Sequence, residues 1–181
     1  YLKKNLLNKS FFHIGSLRDF DLFKDFEKMK LDQIENCDYI LCTGLFDDHF
    51  KDLKYYKNLL KKNIYKKMIC TNPDLIVDRG GIREFCAGSI AMIFEKIGGE
   101  VIYFGKPYPE VYNKSINNIN KRILSIGDNL NTDIKGANLL NYDSLIISNG
   151  VHKKEIEERG IEKVAKSYEA TCNYIQSELK W

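Results

Sequence analysis

The sequence predicts an α/β fold with a parallel sheet and flanking helices, and three observations support this class. Short apolar runs alternate with longer amphipathic stretches along the 181 residues. Most of the short runs are apolar on both faces, which is typical of strands that helices cover. A turn-forming residue follows each run, so each run is expected to end as a separate strand.

Short apolar segments predict the strands of this sheet. They cover residues 11–14, 39–42, 68–70, 101–104, 123–126 and 144–147. Each segment is too short for a stable helix and lies within the usual range of strand lengths.

Apolar residues at helical spacing predict helices between the strands. The predicted helices span residues 48–63, residues 88–97, a stretch that begins after Pro107 and Pro109, and residues 132–140. Proline fits the first turn of a helix, where its missing N–H costs nothing. The pair Gly98-Gly99 is expected to end the second helix.

The segment from Leu75 to Ala87 breaks the alternation of strands and helices. Two apolar stretches flank Arg79-Gly80-Gly81, a pattern that predicts a β-hairpin with a glycine turn. We therefore place a domain boundary near residue 98, with one α/β unit over residues 1–98 and part of another over residues 99–181.

Charge and composition exclude several classes of function. The net charge is +3, and basic residues are mixed with acidic ones, so no stripe is present that could bind nucleic acid. No apolar run approaches the roughly 20 residues that span a membrane, and no secretory signal is recognisable. The five cysteines lack metal-binding spacing and are interpreted as reduced thiols. These features predict a cytoplasmic protein that binds neither nucleic acid nor membrane.

Two aspartates follow the strand predicted at 123–126. The strand ends in Gly127-Asp128-Asn129, and Asp133 comes five residues after Asp128. A carboxylate at the carboxyl end of a parallel strand lies where open α/β sheets bind ligands. Two hard oxygen donors at that edge predict a Mg²⁺ site formed by Asp128 and Asp133, completed by water and a phosphate oxygen.

A lysine ends the preceding predicted strand. Gly105-Lys106-Pro107 follows the strand at 101–104, and a helix is predicted to begin soon after. If the two strands share one sheet, Lys106 reaches the same edge as the two aspartates. An ammonium group there would reduce the repulsion between the carboxylates and could bind phosphate.

The order of these motifs resembles the third and fourth motifs of the haloacid dehalogenase superfamily. Gly105-Lys106-Pro107-x-Pro109 and Gly127-Asp128-Asn129-x-x-x-Asp133 are similar in particular to the class that includes NagD-type and pyridoxal phosphate phosphatases. Thr71-Asn72-Pro73-Asp74 also resembles that class, in which such a turn lies in an inserted α/β cap domain. The resemblance implies a cap over residues 1–98 and part of a Rossmann-like core over residues 99–181.

The resemblance also implies a function and roles for the residues. Such enzymes are Mg²⁺-dependent phosphatases in which an aspartate attacks phosphorus and forms an aspartyl-phosphate. It implies that Asp128 binds the metal and that Asp133 is a second motif-four carboxylate. Lys106 would neutralise the nucleophile and the transferring phosphoryl group, and Asn129 would help to order the metal shell and the substrate.

The cap is expected to select a small phosphorylated metabolite. Asn72, Asp74 and the loop 44–48 are the candidates for contact with the leaving group.

One departure from the family pattern is large. The Asp-x-Asp at Asp19-Phe20-Asp21 follows no apolar strand directly, so we reject it as the nucleophile, and no second motif precedes the cap. We expect that the nucleophile lies outside this chain and that the chain alone has no phosphatase activity. The strand at 123–126 would then have an unpaired edge, which predicts either self-association as a homo-oligomer or partial disorder beyond about residue 98.

Two alternatives remain open from sequence. The chain could be a non-catalytic binding or regulatory module derived from such an enzyme. It could also be a receiver-like or nucleotide-binding α/β domain, although that fold lacks a hairpin before the strand that ends in Lys-Pro.

Overall fold

A computed structural model describes residues 6, 8–116 and 121–180. The chain forms two compact units, unit 1 (residues 1–104) and unit 2 (residues 105–181). In the described residues, no helix is both long and apolar enough to cross a membrane.

Unit 1 is built on a parallel sheet with an added hairpin. Its strands are β1 (Phe11–Ile14), β2 (Tyr39–Cys42), β3 (Lys67–Cys70), β4 (Ile76–Arg79), β5 (Ile82–Phe85) and β6 (Glu100–Tyr103). The sheet has the order β1-β2-β3-β6 with every pair parallel, and β4 pairs with β5 in an antiparallel hairpin. The predicted strands in this half of the chain are confirmed.

Among the described residues of unit 1, two α-helices pack on its sheet. They are α1 (Leu53–Leu60) and α2 (Ala87–Lys96). The Asp52 carboxylate caps α1 by accepting a hydrogen bond from the Tyr55 N–H at 3.0 Å. Tyr56 and Phe94, one from each helix, are fully buried with Ile40 in the same core. The predicted helix at 48–63 is therefore shorter than expected, whereas the one at 88–97 is confirmed within a residue.

The predicted hairpin is also confirmed. Its turn is Gly80-Gly81, and both residues have positive φ. Across the hairpin, the Arg83 guanidinium donates two hydrogen bonds of 2.9 Å to the Asp78 carboxylate.

Short 3₁₀ helices in unit 1 were not predicted. They cover Leu17–Leu22, Lys24–Met29, Ile34–Asn36 and Asp47–His49. Asp19 and Asp21 lie in the first of these, so they do not directly follow β1. Phe23 packs edge-on against Phe11, with ring centroids 5.5 Å apart, and this contact places the segment over the sheet.

Unit 2 contains a smaller parallel sheet with the order β7-β8-β9. Its strands are β7 (Leu124–Gly127), β8 (Asp143–Ile147) and β9 (Tyr174–Gln176), and its α-helices are α3 (Pro109–Ser115), α4 (Lys135–Leu139), α5 (Lys153–Arg159) and α6 (Ile161–Ser167). A single π-turn, Leu130–Ile134, leads directly into α4. Leu130, Ile134, Ile146 and Val164 form the buried core of this unit.

The division between the units falls later than the predicted boundary near residue 98. It lies between Phe104 and Gly105, because β6 forms hydrogen bonds with β3 and completes the sheet of unit 1. The strand at 101–104 therefore belongs to unit 1, and not to the unit predicted over residues 99–181.

Strand β7 lies at one edge of its sheet, as expected. In the described residues it pairs with β8 alone, and the side chains of Leu124 and Ile126 are 46% and 37% exposed. An apolar edge strand of this kind can pair with another chain. The homo-oligomer stays a prediction.

Candidate active site

The carboxyl end of β7 positions the two predicted aspartates. Asp128 follows Gly127, the last residue of β7, and the π-turn that begins at Leu130 brings Asp133 back towards the strand end. The Asn129 N–H donates a hydrogen bond of 3.2 Å to Oδ2 of Asp133. The two carboxylates thus belong to one turn at the end of β7.

Lys106 contacts this turn through Asp133. Its Nζ donates to Oδ1 of Asp133 at 2.5 Å, and the Asp133 side chain is 9% exposed whereas that of Lys106 is 47% exposed. A charge-assisted hydrogen bond to a buried carboxylate is among the stronger polar interactions in proteins. The ion pair fixes the lysine beside the strand end while leaving part of its side chain open to solvent.

The route by which Lys106 arrives differs from the expected one. We expected β6 and β7 to share one sheet, but β6 belongs to the sheet of unit 1 and β7 to that of unit 2. Lys106 instead lies in a turn closed by a hydrogen bond of 2.9 Å from the Tyr108 N–H to the Gly105 carbonyl. The lysine therefore meets Asp133 through a loop, and not through strand pairing.

Asp128 is held by the loop after the neighbouring strand β8. Its Oδ2 accepts a hydrogen bond of 3.1 Å from the Val151 N–H. The side chain remains partly exposed, unlike that of Asp133. Asp128 therefore spans the carboxyl ends of β7 and β8, the edge at which α/β sheets bind ligands.

Two glycines make room for these carboxylates. A Cβ atom on Gly127 would lie 2.2 Å from Cγ of Asp133, and one on Gly150 would lie 2.2 Å from Cβ of Asp128. Any other residue at either position would displace the aspartate. The glycines are thus required by close packing against the site.

Tyr112, which lies in α3, is a neighbour of the site that the sequence did not indicate. Its hydroxyl lies 3.5 Å from the Thr132 carbonyl oxygen. Burial raises the pKa of Tyr112, the nearby Asp133 raises it further, and Lys106 lowers it. Val151 was also missed, because a backbone donor leaves no signal in the sequence.

The predicted Mg²⁺ ligands fit the ion to different degrees. In the described residues, no group of three or more His, Cys, Asp or Glu side chains could together hold a metal ion. Mg²⁺ usually binds one or two carboxylates and completes its shell with water and phosphate oxygens, and partly exposed Asp128 suits that chemistry. Asp133 suits it less, because it is buried and both of its oxygens already accept hydrogen bonds.

Asn129 has a local structural contact. Its Oδ1 accepts a hydrogen bond of 2.9 Å from the Asn131 N–H, which stabilises the start of the π-turn. Its predicted contact with substrate stays a prediction.

The other two predicted substrate-binding residues lie in unit 1. Oδ1 of Asn72 accepts a hydrogen bond of 3.2 Å from the Asp74 N–H. Asn72 and the loop 44–47 line a polar cavity of about 360 Å³, whereas Asp74 is not among its lining residues. Asn72 and Asp74 are therefore in a different unit from Lys106, Asp128 and Asp133.

The buried residue His13 forms a hydrogen bond with Thr43, which lines this cavity. The Thr43 hydroxyl donates to Oδ2 of Asp19 at 2.8 Å, so its oxygen must accept the 2.8 Å hydrogen bond from Nε2 of His13. Nε2 of His13 therefore carries a proton. The pKa of His13 is lowered to about 4, mainly by burial and also by Lys30, while Asp19 acts in the opposite direction.

This histidine should make the stability of the protein depend on pH. Between its ordinary pKa of 6.5 and about 4, the unfolded chain binds a proton that the folded chain does not. The free energy of unfolding should therefore fall as the pH is lowered through this window, by at most about 1.4 kcal/mol per pH unit. Urea unfolding at about pH 7 and about pH 5 measures the effect, and His13→Asn should reduce the difference. An equal difference in the variant would show that other groups are responsible.

Comparisons with known proteins indicate the family of this chain. Residues 103–171 match the model of the HAD-hydrolase-like family. A haloacid dehalogenase-like hydrolase from Brucella suis is 33% identical over 80% of this chain and 57% of its own, with a TM-score of 0.73. No curated protein gives a significant match. These findings show that the chain belongs to the haloacid dehalogenase superfamily.

Two further solved structures share the fold at lower identity. A p-nitrophenyl phosphatase from Archaeoglobus fulgidus is 15% identical over 98% of this chain and 67% of its own, with a TM-score of 0.65. A 4-nitrophenylphosphatase from Thermotoga maritima is 23% identical over 98% of this chain and 65% of its own, with a TM-score of 0.66. The chain thus spans between about half and two thirds of the length of these proteins.

Proposed function

We propose that the protein containing this chain is a Mg²⁺-dependent phosphatase that hydrolyses a small phosphorylated metabolite. The observation that carries the proposal is the ion pair of Lys106 and Asp133, 2.5 Å long, on the strand-end turn that also holds Asp128. This turn lies in the stretch that matches the HAD-hydrolase-like family. Two solved proteins with the same fold are described as nitrophenyl phosphatases, which supports a phosphate ester as substrate.

Asp128 is the proposed ligand of Mg²⁺ in this chain. Its carboxylate is partly exposed and is oriented by the Val151 N–H. Bound Mg²⁺ would supply charge that stabilises the phosphoryl group during transfer. The hydrogen bond from Val151 keeps the carboxylate at the sheet edge, so little reorganisation is needed when the ion binds.

Lys106 and Asp133 are proposed to act together on the phosphoryl group. The ammonium group would offset negative charge that collects near the phosphate. Asp133 would hold the ammonium in place, since its buried carboxylate accepts hydrogen bonds from both Lys106 and Asn129. Its role is therefore to position Lys106 and the turn.

We further propose that the reaction proceeds through an aspartyl-phosphate. The nucleophile would come from residues outside the 181, because the sequence contains Asp-x-Asp only at Asp19-Phe20-Asp21. Those two aspartates lie in a 3₁₀ helix of unit 1 and do not directly follow a strand. Inactivity of the 181-residue chain alone, the homo-oligomer and the cytoplasmic location stay predictions.

A phosphatase assay tests the proposal. The protein expressed from its complete gene should hydrolyse p-nitrophenyl phosphate with Mg²⁺ and lose the activity when EDTA removes the ion. A panel of small phosphate monoesters would then rank the substrates by kcat/KM. Failure to hydrolyse any of these esters with Mg²⁺ present would contradict the proposal and would favour a non-catalytic binding module.

A further inference from the structure

The polar cavity of unit 1 lies at the carboxyl ends of three parallel strands. Ser16 follows β1, Thr43 and Gly44 follow β2, and Asn72 follows β3, and all four line the cavity of about 360 Å³. The hairpin contributes Val77, Glu84 and Phe85 to the lining. This edge of an α/β sheet is the usual place for a small-molecule site, and the whole cavity is built within unit 1.

Carboxylates dominate the charge of the cavity. Asp19, Asp47 and Glu84 line it together with a single cation, Arg18. Three carboxylates repel an anion at short range, and one exposed guanidinium does not reverse their sign. The cavity is therefore unsuited to a phosphate group and suited to a ligand that donates hydrogen bonds.

Two of these carboxylates are held in fixed orientations. Oδ2 of Asp47 accepts a hydrogen bond of 3.0 Å from the buried Ser16 hydroxyl, and Oδ2 of Asp19 accepts one of 2.8 Å from the buried Thr43 hydroxyl. Within the part of the chain that the structure describes, no donor hydrogen-bonds to Oδ1 of either aspartate. Each aspartate therefore keeps one strong acceptor for a ligand hydroxyl.

The remaining lining distinguishes a neutral ligand from a cation. Arg18 is a fixed positive charge and a hydrogen-bond donor, which suits a hydroxyl oxygen and opposes an ammonium group. Phe46, Phe50 and Phe85 add apolar surface of the kind that packs against the C–H face of a ring. The volume of about 360 Å³ would hold about twelve water molecules at roughly 30 Å³ each, which is space for a compound of similar heavy-atom count.

We propose that this cavity binds a neutral polyhydroxyl group, such as a monosaccharide. Its ligand would be the non-phosphate part of the substrate, and only this assignment rests on the proposed phosphatase function. Binding itself needs the residues of unit 1 alone.

Titration of the 181-residue chain with D-glucose and D-ribose, followed by ligand-observed NMR, tests the proposal. At least one sugar should bind saturably, in the millimolar range expected for a few hydrogen bonds to an exposed site. Asp47→Asn and Thr43→Val should each weaken binding by about 2- to 10-fold, the effect of one hydrogen bond. The matched control is Asp78→Asn, which removes a hairpin ion pair outside the cavity lining and should leave affinity unchanged.

Several results would overturn the proposal. Absence of saturable sugar binding to the folded wild-type chain is one, and unchanged affinity in Asp47→Asn is another. Ethanolamine or inorganic phosphate binding in place of the sugars would show that the class of ligand is wrong. Phosphatase activity is measured separately. Sugar binding in an inactive protein would refute only the proposed function. Phosphatase activity without sugar binding would refute only the proposal that this cavity binds a sugar.

Discussion

Replacing Asp128 by asparagine is expected to lower Mg²⁺-dependent hydrolysis of p-nitrophenyl phosphate on the order of 10³-fold, since a metal-bound carboxylate supplies several kcal/mol of stabilisation. Asparagine has the same shape, and its side-chain oxygen can still accept the hydrogen bond from the Val151 N–H. The negative charge that attracts Mg²⁺ is lost. The fold should therefore be kept while metal binding is impaired.

A binding experiment separates loss of the ion from other causes. Competition between Mg²⁺ and Mn²⁺, followed by water proton relaxation, should show at least a 10-fold weaker affinity in Asp128→Asn. The matched control is Asp143→Asn at the opposite end of β8, where the aspartate pairs with exposed Arg122 at 3.1 Å. Equal metal affinities in wild type and Asp128→Asn would rule out Asp128 as the ligand.

Replacing Lys106 by methionine is expected to destabilise unit 2 by about 1–2 kcal/mol as well as to abolish phosphatase activity. The substitution leaves the Asp133 carboxylate, 9% exposed, without its cationic partner. Breaking a fully buried ion pair costs roughly 3–5 kcal/mol, but the half-exposed lysine is partly screened by solvent, which reduces the effect.

Urea unfolding followed by circular dichroism measures this loss. Lys135→Met is the control in the same unit, because its partner Glu169 is 86% exposed and remains solvated, so a change within about 0.5 kcal/mol is expected. Lys106→Met combined with Asp133→Asn should be less destabilised than the sum of the single variants, since the buried charge is gone. Strict additivity would mean that the two side chains do not interact.

The strands were the most predictable part of the fold. Residues such as Ile40 and Ile69 lie in four-residue strands buried on both faces, and this burial requires the apolar runs that the sequence shows. Strand β9 was missed because Tyr174 and Ile175 are exposed, so the segment carries no pattern of burial. The 3₁₀ helices between β1 and β2 were missed because they are too short to show a helical period.

The candidate site was predictable in its residue types and less so in its connections. Gly-Asp after an apolar strand indicated where Asp128 lies, because the end of a parallel strand is a fixed place in an α/β sheet. Lys106 was expected to lie near Asp133 because β6 and β7 would share one sheet. The two strands are in different sheets, and the loop after β6 brings Lys106 to Asp133 instead. The boundary between the units was expected near residue 98 and lies after Phe104, because the sequence does not reveal that β6 joins the sheet of unit 1.

By itself, the sequence determined the α/β class, the order of strands and hairpin, and the aspartates and lysine that carry the candidate chemistry. These follow from local patterns of burial and from residue type. Only the tertiary structure decided which strands share a sheet, that Asp133 is buried between Lys106 and Asn129, and that His13, Thr43 and Asp19 form one hydrogen-bonded chain. Such contacts join residues far apart in sequence, and the packing of whole elements brings them together.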